Sequence, residues 1–213
     1  MGKRWYLTLC LLGMCLQGFG QTGTVGRVEI GASFLDLGQL QSAMEQANFG
    51  SPQENLAAFG FSVSHYHERI VLGGELYNFM SSKTYSTDLN LSLLRYNWLM
   101  GEFGYVIIGK GDPLRIYPTI GVGYGWASLL NRELTESEGI KHRANGLVLD
   151  GAIHATMTNE IADDPGKKIE WGIVLGYMYS AENMWNFSLN ESTMVQGGPG
   201  GPYLRLTMGL GFW

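Results

Sequence analysis

A histidine and a hydroxyl lie two residues apart in His154-Ala155-Thr156, and Glu170 follows in the next alternating segment. A histidine within hydrogen-bond reach of a hydroxyl can remove its proton, and the oxygen then acts as a nucleophile. These residue types would suit hydrolytic chemistry if the fold brings them together. The other interpretation places His154 in a network of buried polar side chains.

Charged and titratable side chains recur on the sequence face that also carries many glycines. The residues of this set are Arg27, Glu29, Glu75, Glu102, Arg115, Asp150, His154, Lys168, Glu170 and Arg205. Inside a narrow barrel, buried charges must pair or cost several kcal/mol each. We therefore predict a salt-bridged polar network that plugs a lumen. A narrow path for ions or small solutes through this plug is the alternative.

His65 and His67 are the nearest approach to a metal site, since alternate strand residues share one face. No third or fourth ligand stands at metal-site spacing beside them, so we interpret them as a turn pair. The sequence shows no phosphate-binding glycine loop, because Gly121, Gly123 and Gly125 fall inside a predicted strand. We predict no metal and no other cofactor.

The elements that would position these side chains are strands with period-two alternation. In the last segment Leu204, Leu206 and Met208 share one face, while Arg205 and Thr207 share the other. The predicted strands cover residues 26–37, 57–66, 69–79, 86–108, 114–128, 146–158, 168–180 and 201–213. We therefore predict an all-β fold, a transmembrane antiparallel up-and-down β-barrel of about eight strands.

The segment 86–108 is too long for one ordinary membrane strand. Arg95 and Asn97 also fall on its otherwise apolar face. Either the strand extends beyond the membrane, or a bulge or turn interrupts it near Arg95–Trp98.

Long and short connections alternate, as they do in outer-membrane barrels. The long ones are predicted at 38–56, with a helix-compatible stretch from Leu40 to Phe49, at 129–145 and at 181–201. Aromatic residues lie near the predicted strand ends, where a membrane interface would be. The predicted aromatic girdle comprises Tyr124, Trp126, Trp171, Tyr177, Tyr179, Phe212 and Trp213.

The N-terminal residues have the pattern of a secretory signal peptide, with Lys3 and Arg4 before an apolar stretch and small residues at Gly18 and Gly20. We expect a signal peptide at residues 1–20 and a barrel at 21–213. Removing two of the 14 basic residues leaves 12 against 19 acidic ones, a net charge of −7. Together with the lack of a basic tract, this excess argues against a nucleic-acid partner.

Three stretches carry a resemblance to a known group: Ile116-Tyr117-Pro118 with the glycines after it, Ile30–Leu37, and Gly201–Leu206. They resemble small outer-membrane β-barrel proteins of the Bacteroidota, and the architecture is similar to OmpA/OmpX-type barrels. The resemblance implies an eight-stranded barrel in the outer membrane and brings no assigned activity. The terminal Thr207-x-Gly209-x-x-Phe212 resembles in part the signal read by the barrel-assembly machinery.

The expected function is therefore structural, or binding through external loops, with a narrow channel as the alternative. A lipid-modifying enzyme comes third, because His154-Ala155-Thr156 resembles the His-x-Ser of lipid A deacylases with threonine in place of serine. We expect no enzymatic activity. The expected partners are outer-membrane lipid, lipopolysaccharide and the assembly machinery, and the expected state is a monomer.

Overall fold

A computed structural model describes residues 22–46, 50–81, 83–85, 90–109, 113–133, 140–162, 164–180, 186–190, 193–196 and 200–213. The elements in chain order are β1 (Thr22–Phe34), α1 (Gly38–Gln46), β2 (Asn55–His67), β3 (Ile70–Met80), β4 (Thr84–Tyr85), β5 (Asn90–Tyr105), β6 (Leu114–Glu133), β7 (Ile140–Ile161), β8 (Asp164–Ser180), β9 (Asn186–Asn190), β10 (Thr193–Gln196) and β11 (Gly201–Phe212). The predicted signal peptide lies outside the described residues.

Eight of these strands close into an antiparallel barrel in the order β3-β2-β1-β11-β8-β7-β6-β5. The ring closes because β3 pairs with β5 from Ile70↔Tyr105 to Met80↔Arg95. Strand β4 adds only a two-residue pairing to β5, and β9 and β10 form a separate hairpin. The predicted eight-stranded up-and-down barrel is confirmed.

The two ends of the barrel differ. We call the end where β1 begins and β11 finishes the terminal end, and the opposite one the loop end. At the terminal end β2 passes to β3 through residues 68–69, β5 to β6 through residues 106–113, and β7 to β8 through residues 162–163. At the loop end the connections run over residues 35–54, 81–89, 134–139 and 181–200, with α1 in the first.

Two predicted connections are corrected by the structure. The loop placed at 129–145 is mostly strand, because β6 continues to Glu133 and β7 begins at Ile140. Polar residues can occupy both faces there without breaking the ladder, since a strand above an apolar belt no longer needs an apolar outer face. The intermediate connection placed at 159–167 is shortened by strand pairing to residues 162–163.

The segment 86–108, for which an interruption was one of the predicted alternatives, contains one continuous strand, β5, in unbroken register with β6. No bulge occurs near Arg95–Trp98. Arg95 points outward and is exposed, and Asn78 donates a hydrogen bond to Asn97 at 2.5 Å on the same outer face. Of the two predicted alternatives, the strand that extends beyond the membrane is therefore the correct one. Residues 86–89 of the predicted segment lie outside the described residues.

Helix α1 lies over the loop end and turns its apolar side inward. Leu40 and Met44 are buried within the same core cluster as Leu56, Phe79 and Leu129 of the barrel wall. Gln41 holds the following chain by donating to the Pro52 carbonyl at 2.9 Å. The helix predicted from Leu40 to Phe49 is confirmed as far as Gln46, and residues 47–49 lie outside the described residues. Among the described residues, no helix is long and apolar enough to cross a membrane.

Candidate functional site in the barrel interior

The inside and outside of the barrel have opposite chemistry. On β11 the outward Leu206 and Met208 are 54% and 65% exposed, while the inward Arg205 and Thr207 are 0% and 5% exposed. Large apolar side chains are exposed along the other barrel strands as well. Since an apolar outer belt around a polar interior is the reverse of a soluble barrel, the chain is built as an outer-membrane β-barrel.

The interior has three layers. The layer nearest the terminal end, the terminal cluster, is built around Arg27, Arg115 and Glu170. The next layer, the central cluster, is built around Arg205 and four carboxyl groups: Glu29, Glu75, Glu102 and Asp150. The third layer, the apolar plug, lies at the loop end and includes the inward side of α1; it contains Leu35, Leu37, Leu40, Met44, Leu56, Phe79, Leu94, Tyr96, Trp98, Leu129, Val148 and Met178.

In the terminal cluster, Arg27 of β1 and Glu170 of β8 form an ion pair at 2.6 Å. The Arg27 guanidinium also donates to Ser64 Oγ at 2.7 Å and to the Tyr66 hydroxyl. The Tyr66 and Tyr117 hydroxyls are hydrogen-bonded at 2.9 Å. Four strands, β1, β2, β6 and β8, therefore converge on one buried carboxylate and its cation.

Arg115 joins this cluster from β6. Its Nη1 lies 3.6 Å from Glu170 Oε2, and its Cζ lies 4.0 Å from the centre of the Trp213 ring. Trp213 also stacks on Tyr66 with 5.3 Å between ring centres. Stacked aromatic rings and a guanidinium therefore fill the terminal end, and cation–π attraction stabilises them.

The prediction that Trp213 belongs to an outward aromatic girdle is corrected by this packing. Residue 213 has the inward parity of Arg205 and Thr207, and its ring follows that parity onto Arg115. The other girdle residues are on the outer face, between 40% and 58% exposed: Tyr124, Trp126, Trp171, Tyr177, Tyr179 and Phe212.

The central cluster holds its one cation between two rings. The Arg205 Cζ lies 3.8 Å from the Tyr77 ring centre and 3.7 Å from that of Tyr203. Its Nη1 lies 3.1 Å from Glu75 Oε2 and 3.9 Å from Glu29 Oε2. The guanidinium is thus clamped on both faces and ion-paired at its edge.

Two glycines allow this clamp to form. Gly60 pairs with Tyr77 across β2 and β3, and Gly176 pairs with Tyr203 across β8 and β11. A Cβ at Gly60 would lie 2.4 Å from the Tyr77 ring, and one at Gly176 would lie 2.3 Å from Tyr203. The tyrosine rings lie flat on the barrel wall because these positions carry no side chain.

The carboxyl groups of the central cluster are only partly satisfied. Ser62 and Tyr77 donate to Glu29, the former at 2.5 Å, and Tyr203 donates to Asp150 Oδ2 at 2.8 Å. Within the described residues, Glu102 Oε1 and Asp150 Oδ1 are buried without a hydrogen-bond partner. Four carboxyl groups therefore face one guanidinium in this layer.

His154 and Lys168 occupy different surroundings from the rest of the predicted set. The His154 ring is buried, stacks on Tyr117 at 4.7 Å and places Nε2 at 3.1 Å from Thr119 Oγ1. Thr156 is also buried inside the barrel. Lys168 lies at the rim of the terminal end, where it pairs with Glu160 at 3.3 Å.

Sequence reasoning missed the aromatic part of the interior. Tyr77 and Tyr203 share the inward parity of Glu75 and Arg205, but the predicted polar network did not include them. The sequence carried no signal for this role, because the pairing of each inward tyrosine with a glycine on the neighbouring strand is visible only in the register. Gly73 and Gly209 leave room for charged side chains, since added Cβ atoms would approach Glu102 and Arg27.

No protein-family model and no curated protein matches the sequence. Solved structures do match the fold. The attachment invasion locus protein Ail of Yersinia pestis is similar with a TM-score of 0.50 and 11% identity, over 90% of this chain and 98% of that one. Neisserial surface protein A is similar with a TM-score of 0.50 and 10% identity, over 89% and 96%. At these identities the likeness concerns the fold alone.

Proposed function

We propose that this chain is a closed structural barrel of the outer membrane that displays its loop end for binding. The observation that carries the proposal is the continuous filling of the interior. Trp213 and Arg115 occupy the terminal end, the clamped Arg205 occupies the middle, and Met44 of α1 is fully buried at the loop end. A barrel filled in this way is a rigid support rather than an open pore.

We place the loop end outside the cell and the terminal end in the periplasm. Long connections on one side and short ones on the other are typical of bacterial outer-membrane barrels. The loop end also carries the strand extensions of β6 and β7 and the β9–β10 hairpin. Rigid scaffolds commonly present binding residues on such projecting segments.

The proposal includes a monomer surrounded by outer-membrane lipid and lipopolysaccharide and inserted by the barrel-assembly machinery. We also propose kinship with the small barrels of the Bacteroidota, on the strength of the glycine-spaced strand sequences. A lipid-modifying activity is not part of the proposal, because His154 and Thr156 lie inside the barrel, away from the lipid-facing surface.

One observation favours a second candidate, a narrow cation path. The central cluster contains four carboxyl groups and one guanidinium, and two of its buried oxygens have no partner within the described residues. A cation passing this layer would meet a net negative lining. The path would still need α1 to move, because Leu40 and Met44 close the loop end.

Planar-bilayer recording separates the two candidates. The folded protein is first identified by its faster migration in unheated gels, a shift that boiling abolishes. The closed barrel predicts no unitary current steps. Steps that change in size with Glu102→Gln or Asp150→Asn would refute the closed barrel and establish the channel. Lys168→Gln is the control variant, because Lys168 lies at the rim outside the central cluster. If the barrel conducts through the central cluster, this variant should leave the size of the current steps unchanged.

A further inference from the structure

The outer face changes character in consecutive rows at the loop end, across β3, β5, β6 and β7. The first of these rows is apolar and consists of Leu76, Leu99, Tyr124 and Leu147. The next consists of Asn78, Asn97, Trp126 and Asn145. The third consists of Met80, Arg95, Ser128 and Arg143. Each row follows directly from the ladder register, so the polarity rises within four residues of every strand.

These rows mark where the apolar belt ends. Leu99 is 58% exposed in the first row, which is expected of a side chain in contact with lipid. Trp126 lies in the second row, and tryptophan is enriched at the level of lipid headgroups. The third row lies one outward position beyond the second along each strand, about 7 Å. Its residues therefore lie near the headgroups, at heights that differ from strand to strand because the strands of such barrels tilt by about 35–45°.

Three cations cluster at this level. Arg95 and Arg143 face outward on either side of Ser128, two strands apart, so their Cα atoms are separated by about 10 Å. Lys141 is the next outward residue of β7, about 7 Å beyond Arg143. All three side chains are exposed. Within the described part of the chain, none of them forms an ion pair.

We propose that Arg95, Arg143 and Lys141 form a binding site for the phosphate groups of an outer-leaflet glycolipid. Guanidinium groups bind phosphate through paired, charge-assisted hydrogen bonds, and an arginine pair at this spacing can hold one phosphorylated headgroup between them. The acyl chains of the same lipid would lie against the apolar row below. The site deepens the proposed function and rests on the proposed orientation, with the loop end outside.

Lipid rather than soluble phosphate is the occupant that the position favours. The cations do not line a pocket that opens to water at the top of the barrel; they lie on the outer wall above Leu99 and Tyr124. A headgroup anchored in the membrane is held at this height by its chains. Free phosphate gains nothing from the apolar row, so its affinity should be far lower.

The test uses the folded full chain in phosphatidylcholine nanodiscs with a bisphosphorylated glycolipid of the lipid A type, or with the same glycolipid lacking phosphate. Bound glycolipid is measured by native mass spectrometry after release into detergent. We expect the wild type to retain the phosphorylated form selectively. Arg95→Gln with Arg143→Gln should weaken retention about thirtyfold, because each cation near an anionic membrane surface contributes about fivefold in affinity.

A matched control removes the same charge at the other end of the barrel. Arg69→Gln with Lys167→Gln changes two exposed cations at the terminal end and should leave retention unchanged. Equal retention by the Arg95/Arg143 double variant would overturn the site, and so would equal retention of the glycolipid without phosphate. Competition by inorganic phosphate at equal concentration would overturn the lipid as occupant.

Gel migration and insertion into nanodiscs are recorded for each variant beforehand. Failure of the wild type to insert refutes the membrane function itself. Insertion without selective retention refutes only the phosphate site.

Discussion

Replacing Arg205 by methionine tests how far one cation holds the interior together. The change keeps a long, unbranched side chain in the same space but removes the positive charge. Glu75 and Glu29 then lose the guanidinium that lies 3.1 Å and 3.9 Å from their oxygens. The Tyr77 and Tyr203 rings lose the cation that they stack on.

The expected cost follows from the burial of the pair. Arg205 is 0% exposed, and breaking a buried ion pair by removing one partner costs about 3–5 kcal/mol. Part of this cost is the repulsion and desolvation of the carboxylates that remain. Adding Glu75→Gln should therefore restore part of the free energy of unfolding, although the same change alone is destabilising.

The assay is urea unfolding of the folded barrel in lipid vesicles, followed by tryptophan fluorescence and by gel migration. We expect Arg205→Met to lower the unfolding free energy by about 4 kcal/mol at neutral pH. An unchanged unfolding midpoint, or additive effects of Arg205→Met and Glu75→Gln, would refute the clamped ion-pair account.

Three further predictions concern the wall, the terminal end and a turn. Gly176→Ala should destabilise the barrel by about 1–3 kcal/mol in the same urea assay, because its Cβ would overlap a tyrosine ring. Gly26→Ala, with nothing within 4 Å of the added Cβ, should not. Trp213→Leu should cost about 1–2 kcal/mol by loss of its cation–π contacts, seen as a lower melting temperature of the gel-shifted form; an unchanged temperature would contradict the packing. At the 162–163 turn, the Lys167 ammonium holds the pKa of Asp164 below its ordinary value by hydrogen bonding. Its small stabilisation is present above the ordinary pKa and is lost as the pH falls through the lowered one. NMR titration should show this pKa rise in Lys167→Gln, and no rise would exclude the pairing.

The barrel was predictable from sequence because period-two alternation is a local property. Leu204 and Leu206 on one side and Arg205 on the other define the faces of β11 without any tertiary information. The strand limits at the loop end were not predictable in the same way. The outward Lys141 and Arg143 break the apolar pattern, and only their pairing with Leu130 and Ser128 shows that the ladder continues.

The interior was predictable in composition but not in arrangement. Inward parity placed Arg27, Glu170 and Arg205 inside, yet parity gives no height along the barrel axis. Whether Arg205 meets Glu75 or Glu170 depends on the stagger between non-adjacent strands, which is a property of the closed ring. For Trp213, by contrast, parity alone would have predicted the inward position. The error came from assigning this residue to the aromatic girdle because it lies at a strand end.

The central claim is that β11 turns one face to lipid and the other into a filled lumen, and single-cysteine labelling tests it most directly. In a chain with Cys10 and Cys15 replaced by serine, Leu206→Cys and Thr207→Cys are exposed in vesicles to membrane-soluble and membrane-impermeant maleimides. The account predicts that Leu206→Cys reacts only with the membrane-soluble reagent and that Thr207→Cys reacts with neither until the barrel is unfolded. Reaction of Thr207→Cys in the folded barrel with the impermeant reagent would contradict it, because water would then fill the lumen.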